Sequence, residues 1–316
     1  MRYSVLLSLH DRDTVDLQKT FKQLAKAASG RTDVEFVVCF DFAEGAYEQV
    51  EALAEIFQQS IEMANLTCKL LRFDTVAEHK ETFHLDTHCN PVAVNNVLMD
   101  NADGDNLVWI SSDMIVSPLL FERLDLHIGD DGLLDTVWCS RVIDQDSMAE
   151  YCGPSRPFPM MWCVAHPSTG ERHDLQLLQG FGYDDNDWMA RMGLRVGSIT
   201  IDLCHIAIHQ THGRVSQLGQ LATGKAYSKD AAPGWERSGK YIVAKWGGCP
   251  FDGRTLDVDF GEVGEFIVLN INGVKAGPGY PLSPADAEKK ITEEPDPVKP
   301  QAKRKSKAKK VSRKKS

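Results

Sequence analysis

The chain has 316 residues, of which 42% are hydrophobic, 25% charged and 8% aromatic. That composition suits an ordinary globular protein of one large domain or two small ones and excludes a chain disordered throughout, a collagen or a disulfide-stapled miniprotein. The formal net charge of −10 averages two unlike pieces: Lys299 to Ser316 holds ten Lys/Arg and no acid, leaving 25 basic against 45 acidic residues, a net of −20.

Tyr3-Ser4-Val5-Leu6-Leu7-Ser8-Leu9 opens the chain as a buried strand, because His10-Asp11-Arg12-Asp13 follows too soon for a signal h-region. Asp16 to Ala28 has helical period, Val34 to Phe40 is a second strand ending at Asp41, Tyr47 to Ala64 is helical and Leu66 to Phe73 returns as a strand. Such alternation predicts a doubly wound, mostly parallel sheet, whose ligands bind at the carboxyl ends of the strands. Pro91 to Asp100 reads as a helix. The turn Asp103-Gly104-Asp105 leads into the strand Asn106 to Ile110, which runs straight into Ser111-Ser112-Asp113. Pro118 to Leu126 is a short helix, and Thr136 to Val142 and Met160 to Ala165 are strands. Gly180-Phe181-Gly182-Tyr183 is a loop before a helix from Asp184 to about Met192, with acids in the first turn, where the helix dipole favours them. Leu194 to Asp202 is a strand, with Ile206 to His209 as the last apolar piece.

Tyr241 to Gly273 is rich in glycine and β-formers, giving a domain over 1–230, a small β-rich segment over 231–282 and a disordered tail over 283–316. No window approaches the roughly 18 apolar residues of a membrane span, so a cytoplasmic protein without membrane insertion is expected. The eight cysteines form no C-x-x-C pair and read as reduced thiols. The cationic end at 299–316 suits contact with a polyanion such as DNA through counterion release; it equally suits a solubilising tail folded onto the acidic body.

Three places concentrate chemistry at strand ends. Asp41 can hydrogen-bond a base or ribose, or cap a helix. Asp113 can hold a divalent cation that also binds substrate phosphates, or cap its loop. Asp184-Asp185-Asn186-Asp187 places adjacent carboxylates at a helix start, where one can serve as a general base or all can serve the helix. His205, His209 and His212 follow; they suit a metal site with Asp113, a structural zinc with Cys204, or a solvated turn. His84, His88 and Cys89 read as loop.

Gly180-Phe181-Gly182-Tyr183-Asp184-Asp185-Asn186-Asp187-Trp188-Met189-Ala190-Arg191-Met192 resembles the G-W-G-x-E-D-x-D/E-aromatic-x-x-R-L segment of GT-A glycosyltransferases, notably the galactosyltransferase C-terminal module and bacterial family 2 enzymes. Tyr3 to Leu7 with Val37 to Asp41 resembles that family's nucleotide-binding βαβ, and Gly104 to Asp113 the strand carrying its D-x-D motif, with Ser111 in place of the first aspartate. Ile208-His209-Gln210 is similar to its metal-ligating His-Gln pair, and Lys245-Trp246-Gly247 to a segment of some bacterial and phage members. The resemblance covers about residues 1–215 and implies an α/β GT-A (Rossmann-like) fold and a metal-dependent glycosyltransferase. It implies that Asp41, Trp109, Ser112 and Asp113 contact a nucleotide-sugar donor, a UDP-sugar in the first instance, and that Asp113 and His209 hold Mn²⁺ or Mg²⁺. Asp185, paired with Asp184, is then the catalytic base of a single displacement with inversion. The basic tail favours a polyanionic acceptor, such as a hydroxymethylated base in phage-type DNA. A cell-surface oligosaccharide acceptor and an inactive GT-A module binding nucleotide sugar or nucleic acid are the alternatives.

Overall fold

The computed structural model describes residues 2–10, 17–41, 47–62, 65–83, 91–152, 161–166, 171–179, 182–210, 227–277 and 279–293. The first half follows the expected alternation: β1 (Tyr3–His10), α1 (Leu17–Ala27), β2 (Val34–Asp41), α2 (Tyr47–Glu62), β3 (Thr67–Phe73), α3 (Thr75–Phe83), α4 (Val92–Asp100) and β4 (Asn106–Ile110). The second half departs from it. After β5 (Met114–Ile115) and α5 (Leu120–Asp125) come β6 (Val137–Asp144), β7 (Glu150–Cys152) and β8 (Met161–Ala165). A 3₁₀ turn (Leu175–Gln179) then precedes α6 (Asp184–Val196), β9 (Ser198–His209), α7 (Tyr227–Trp246), the hairpin β10 (Leu256–Val263) and β11 (Phe266–Val274), and α8 (Pro284–Glu293).

Among the described residues, eleven strands form one sheet in the order β10-β11-β9-β6-β8-β4-β1-β2-β3, with β5 paired to β9 and β7 to β6. β1 runs parallel to β2 and β4, and β2 parallel to β3. β8 lies antiparallel between β4 and β6, and β6 pairs parallel with β9, so β1, β2, β3, β4, β6 and β9 all point the same way. The expected mixed α/β, Rossmann-like architecture is the one observed.

Period-two alternation assigns side chains to two faces. Tyr3, Val5 and Leu7 of β1 and Val108 and Ile110 of β4 join Phe21 and Leu24 of α1, Phe57 of α2 and Phe121 of α5 in one buried cluster. Leu6, Leu107 and Trp109 point the other way, onto Val94 and Leu98 of α4 and Trp188 and Met192 of α6. In α1 the buried Leu17, Thr20, Phe21 and Leu24 recur at helical spacing, and this stripe is what docks it. Each large apolar side chain so buried contributes about 1.5–3 kcal/mol.

Three stretches differ from the sequence reading. Tyr241 to Trp246 is the end of α7 rather than strand: Ser238, Tyr241, Ile242, Lys245 and Trp246 are buried at three- and four-residue spacing, the period of a helix. The β10–β11 hairpin joins the main sheet through β9. Residues 284–293 of the expected disordered tail are helical. Ser283 accepts the Asp286 N–H at 3.2 Å and donates to its carboxylate at 2.6 Å, Pro284 takes the first helical position, and Ala287 is buried in a third apolar cluster with Tyr241, Ile242 and Trp246. Ser283-Pro284-Ala285-Asp286 carries that start signal in plain sequence. The basic end, 299–316, lies outside the described residues. Two boundaries also move: α6 runs on to Val196, stopped by Gly197 at φ 92°, and β9 is one strand of 12 residues, irregular where Ser140 and Arg141 pair with Asp202 and Ile206.

The turn before β4 depends on a missing side chain. The Gly104 N–H donates to Ser4 Oγ at 2.7 Å, Ser4 donates to the buried Glu35 at 2.5 Å, and a Cβ on Gly104 would stand 2.5 Å from the Ser4 nitrogen. Gly104→Ala is expected to destabilise by about 1–3 kcal/mol, the cost of overpacking a tight contact; a denaturant midpoint equal to wild type would contradict this account.

Candidate functional site

From β1 the chain moves outward to β2 and β3 and then returns to place β4 on the other side of β1. The crevice outside the carboxyl ends of β1 and β4 is therefore a topological switch point, the usual place for a ligand on such a sheet. Asp113 sits there, three residues past β4.

Strand pairing brings His209 to it. β5 pairs antiparallel with the end of β9, Met114 opposite His209, and the Gln210 N–H donates to the Asp113 carbonyl at 2.8 Å. The Gln210 side chain donates to Thr20 Oγ1 at 2.8 Å, and Thr20 donates to the Ser112 carbonyl at 3.0 Å, which locks α1, the β4–β5 turn and β9 together. Asp113 Oδ2 then stands 3.2 Å from His209 Nε2, with both side chains nearly buried. On the far side of the ring, Nδ1 lies 3.6 Å from Oδ2 of Asp144, the last residue of β6.

The acidic helix reaches the same edge. α6 leads directly through Gly197 into the start of β9 and packs back across it, Gly193 lying against Ile199 and Ile271. The ring of its Trp188 lies 5.9 Å from that of Trp109, the residue before the last of β4, so the first turns of α6 adjoin that end of the sheet. The N-cap position is Tyr183, held at φ 66° with no side-chain cap hydrogen bond, and Asp184, Asp185 and Asp187 fill the first turn. Burial of the Asp185 carboxyl, followed by the like charge of Asp184, pushes its pKa well above the ordinary carboxylate range. Asp187 has a different use. It accepts from Arg191 at 3.0 Å, from Trp246 Nε1 at 2.9 Å and from Lys245 at 2.7 Å. Burial works to raise its pKa, but Arg191 and Lys245 outweigh that and hold it below the ordinary value.

The remaining expected contacts are placed as follows. Asp41 ends β2 and is buried, its two oxygens accepting from the Thr75 N–H at 3.1 Å and hydroxyl at 2.9 Å, so it holds the start of α3. Trp109 lies in an aromatic stack, 4.3 Å from Trp162, with His173 and Trp188 completing the group. Ser112 is buried beside Asp113. His205 is buried, its Nδ1 2.9 Å from Ser140 Oγ, and burial lowers its pKa to about 4. Cys204 is exposed. His84, His88, Cys89, His212, Gly180 and Phe181 lie outside the described residues.

Sequence reasoning passed over Asp144, although the rule that picked Asp41, an acid directly after an apolar strand, also picks it after Val142-Ile143. It also passed over His173, which stacks on Trp188 at 4.2 Å and which burial keeps neutral. Asp174 and Lys245 were not singled out; a lysine inside the apolar run Tyr241 to Trp246 was the visible sign.

Among the described residues, no group of three or more His, Cys, Asp or Glu side chains is arranged to hold a metal ion. Asp113 and His209 fit a cation as two of its ligands: donors at right angles on an octahedral ion with bonds of about 2.1 Å stand about 3.0 Å apart, near the 3.2 Å found here. The same separation suits a direct hydrogen bond. A shallow depression of about 280 Å³ lined by His127, Asp135, Thr136, Thr200 and Phe266 lies at the amino ends of β6 and β9, away from these groups, and does not share in the site.

No protein-family model matches the chain, and no curated protein is similar to it. Among solved structures it is similar to S. aureus TarS 1–349 in complex with UDP-GlcNAc, at 13% identity and a TM-score of 0.52 over 77% of this chain and 66% of that one. S. aureus TarS itself gives 14% identity and a TM-score of 0.47 over 68% of this chain and 37% of TarS. The chain thus spans less than two thirds of either neighbour, and the likeness is one of fold: a Rossmann-like GT-A arrangement.

The Asp187 network makes a measurable demand. Removing the Lys245 ammonium leaves two buried carboxylates, Asp174 and Asp187, without their shared cation. Lys245→Met is expected to cost about 3–5 kcal/mol in denaturant unfolding. Because the folded pKa of Asp187 is lowered, its contribution is present above the ordinary carboxylate range and is lost as pH falls through the lowered value.

Proposed function

We propose that this chain is a metal-dependent glycosyltransferase that moves a sugar from a UDP-sugar to an acceptor hydroxyl. The observation that carries the reading is the meeting of Asp113 and His209, 3.2 Å apart, at the switch-point crevice. A GT-A fold similar to that of a protein whose complex holds UDP-GlcNAc supports the donor class.

The donor lies across the carboxyl ends of β1 and β4, its diphosphate toward Asp113 and His209. A bound Mn²⁺ or Mg²⁺ supplies charge neutralisation to the departing diphosphate. Asp113 and His209 would hold it through a carboxylate oxygen and Nε2. Asp41, at the end of β2, is assigned to the nucleoside end of the donor, with Thr75 holding its carboxylate in place. Ser112 lines the turn under the donor, while Trp109 acts from the stack beneath it.

Asp185 takes the acceptor's proton. As the hydroxyl oxygen bonds to the anomeric carbon, the bond from that carbon to the diphosphate oxygen breaks and UDP leaves, so one displacement inverts the centre. A carboxylate whose pKa is raised by burial and by Asp184 is a stronger base than an exposed aspartate and is matched to a hydroxyl proton nearer neutral pH. The acidic body, at −20, repels a phosphate backbone, so a DNA acceptor would be held through residues 299–316, and their deletion would remove salt-dependent DNA binding.

Thermal unfolding with UDP-, GDP-, CDP- and dTDP-sugars, with and without Mn²⁺, tests the donor: a rise for the UDP-sugar that needs the metal and vanishes in Asp113→Ala is expected. No rise with any sugar nucleotide would sink the reading. The wild-type kcat/KM is expected to show an acid limb lying above the ordinary carboxylate range, and Asp185→Asn is expected to abolish transfer. Ionising Asp185 at neutral pH opposes folding, since a raised folded pKa gives stability at low pH that is lost as pH rises through it. The same variant should therefore unfold at a higher temperature than wild type at pH 7, and a lower one would refute the burial argument.

A further inference from the structure

We propose that Asp144 is the positioning residue for His209, accepting the proton of Nδ1 so that Nε2 presents its lone pair to the cation beside Asp113. This rests on the metal reading above. A neutral imidazole carries one N–H and one lone pair, and the acceptor that meets the N–H decides which nitrogen can ligate.

The two carboxylates stand on opposite nitrogens of one ring. Asp113 Oδ2 is 3.2 Å from Nε2, and Asp144 Oδ2 is 3.6 Å from Nδ1. The placement is built into the sheet: Asp144 and His209 are register partners at the ends of β6 and β9, and the Gln145 N–H donates to the His209 carbonyl at 2.9 Å. The Asp144 carboxylate is held by its other oxygen, which accepts from the Ser147 N–H and hydroxyl, each at 2.9 Å, and from the Asp146 N–H at 3.2 Å. Oδ1 thus serves the turn and Oδ2 faces the imidazole. The 3.6 Å gap is longer than a hydrogen bond, and a tilt of the ring shortens it while the paired backbones stay in place.

The test is Mn²⁺ affinity in the presence of UDP, read from the electron paramagnetic resonance signal of the free ion, on the full chain. In Asp144→Asn the amide oxygen keeps the turn while the NH₂ faces Nδ1 and drives the proton onto Nε2. Mn²⁺ binding is expected to weaken about 10–100-fold, the usual loss for an outer carboxylate of a metal-ligating histidine. Asp144→Glu should recover part of it. Ser147→Ala removes only turn bonds and should bind Mn²⁺ close to wild type. Wild-type affinity in Asp144→Asn, with Asp113→Asn impaired, would overturn the role of Asp144 and leave the metal reading standing. Equal losses in Asp144→Asn and Ser147→Ala would reduce Asp144 to a turn residue. A wild-type chain that binds UDP but no Mn²⁺ would overturn both.

Discussion

The ammonium of Lys245 lies 2.6 Å from Asp174 and 2.7 Å from Asp187, almost wholly buried, and the position of the acidic helix depends on it. Tyr241 donates to the same Asp174 oxygen at 2.5 Å, and Trp246 and Arg191 complete the shell around Asp187. A buried charge is tolerable only when it is paired and hydrogen-bonded. The network meets that condition by joining three parts of the chain: the residue before the 3₁₀ turn, the first turn of α6 and the end of α7. The acids of α6 thereby divide their labour. Asp187 is tied down by cations, whereas Asp185 is left beside a like charge in a site that disfavours its ionised form.

Beneath this lock lies an apolar floor. Trp109, Trp162, Trp188 and His173 stack into one aromatic group between the sheet and α6. Burial keeps the His173 imidazole neutral, so it packs as an aromatic ring and adds no charge below the acids. The aromatic floor and the charged clamp together hold the start of α6 against the sheet.

The crevice is assembled differently, by backbone pairing. Asp113 and His209 are 96 positions apart in sequence, yet the two-residue strand β5 pairs with the end of β9 and places them side by side. Asp144 joins by the same logic, because β6 and β9 run parallel and end together. Three side chains, from the β4–β5 turn, β6 and β9, thus meet at one edge without any local motif linking them.

Much of the scaffold is legible in the residues themselves. Alternating apolar runs determine β1, β2 and β4 and the faces of their side chains, the Asp184-Asp185-Asn186-Asp187 run marks a helix start, and strand-end carboxylates mark the carboxyl edge of the sheet. Those signals are local, set by the two- and 3.6-residue periods of the chain. What each carboxylate does was decided only by the tertiary structure. Asp41 is met by Thr75, Asp187 by Lys245, Asp113 by His209, while burial and a neighbouring charge act on Asp185. A carboxylate's chemistry follows from the charge and the water around it, and residues far along the chain supply both.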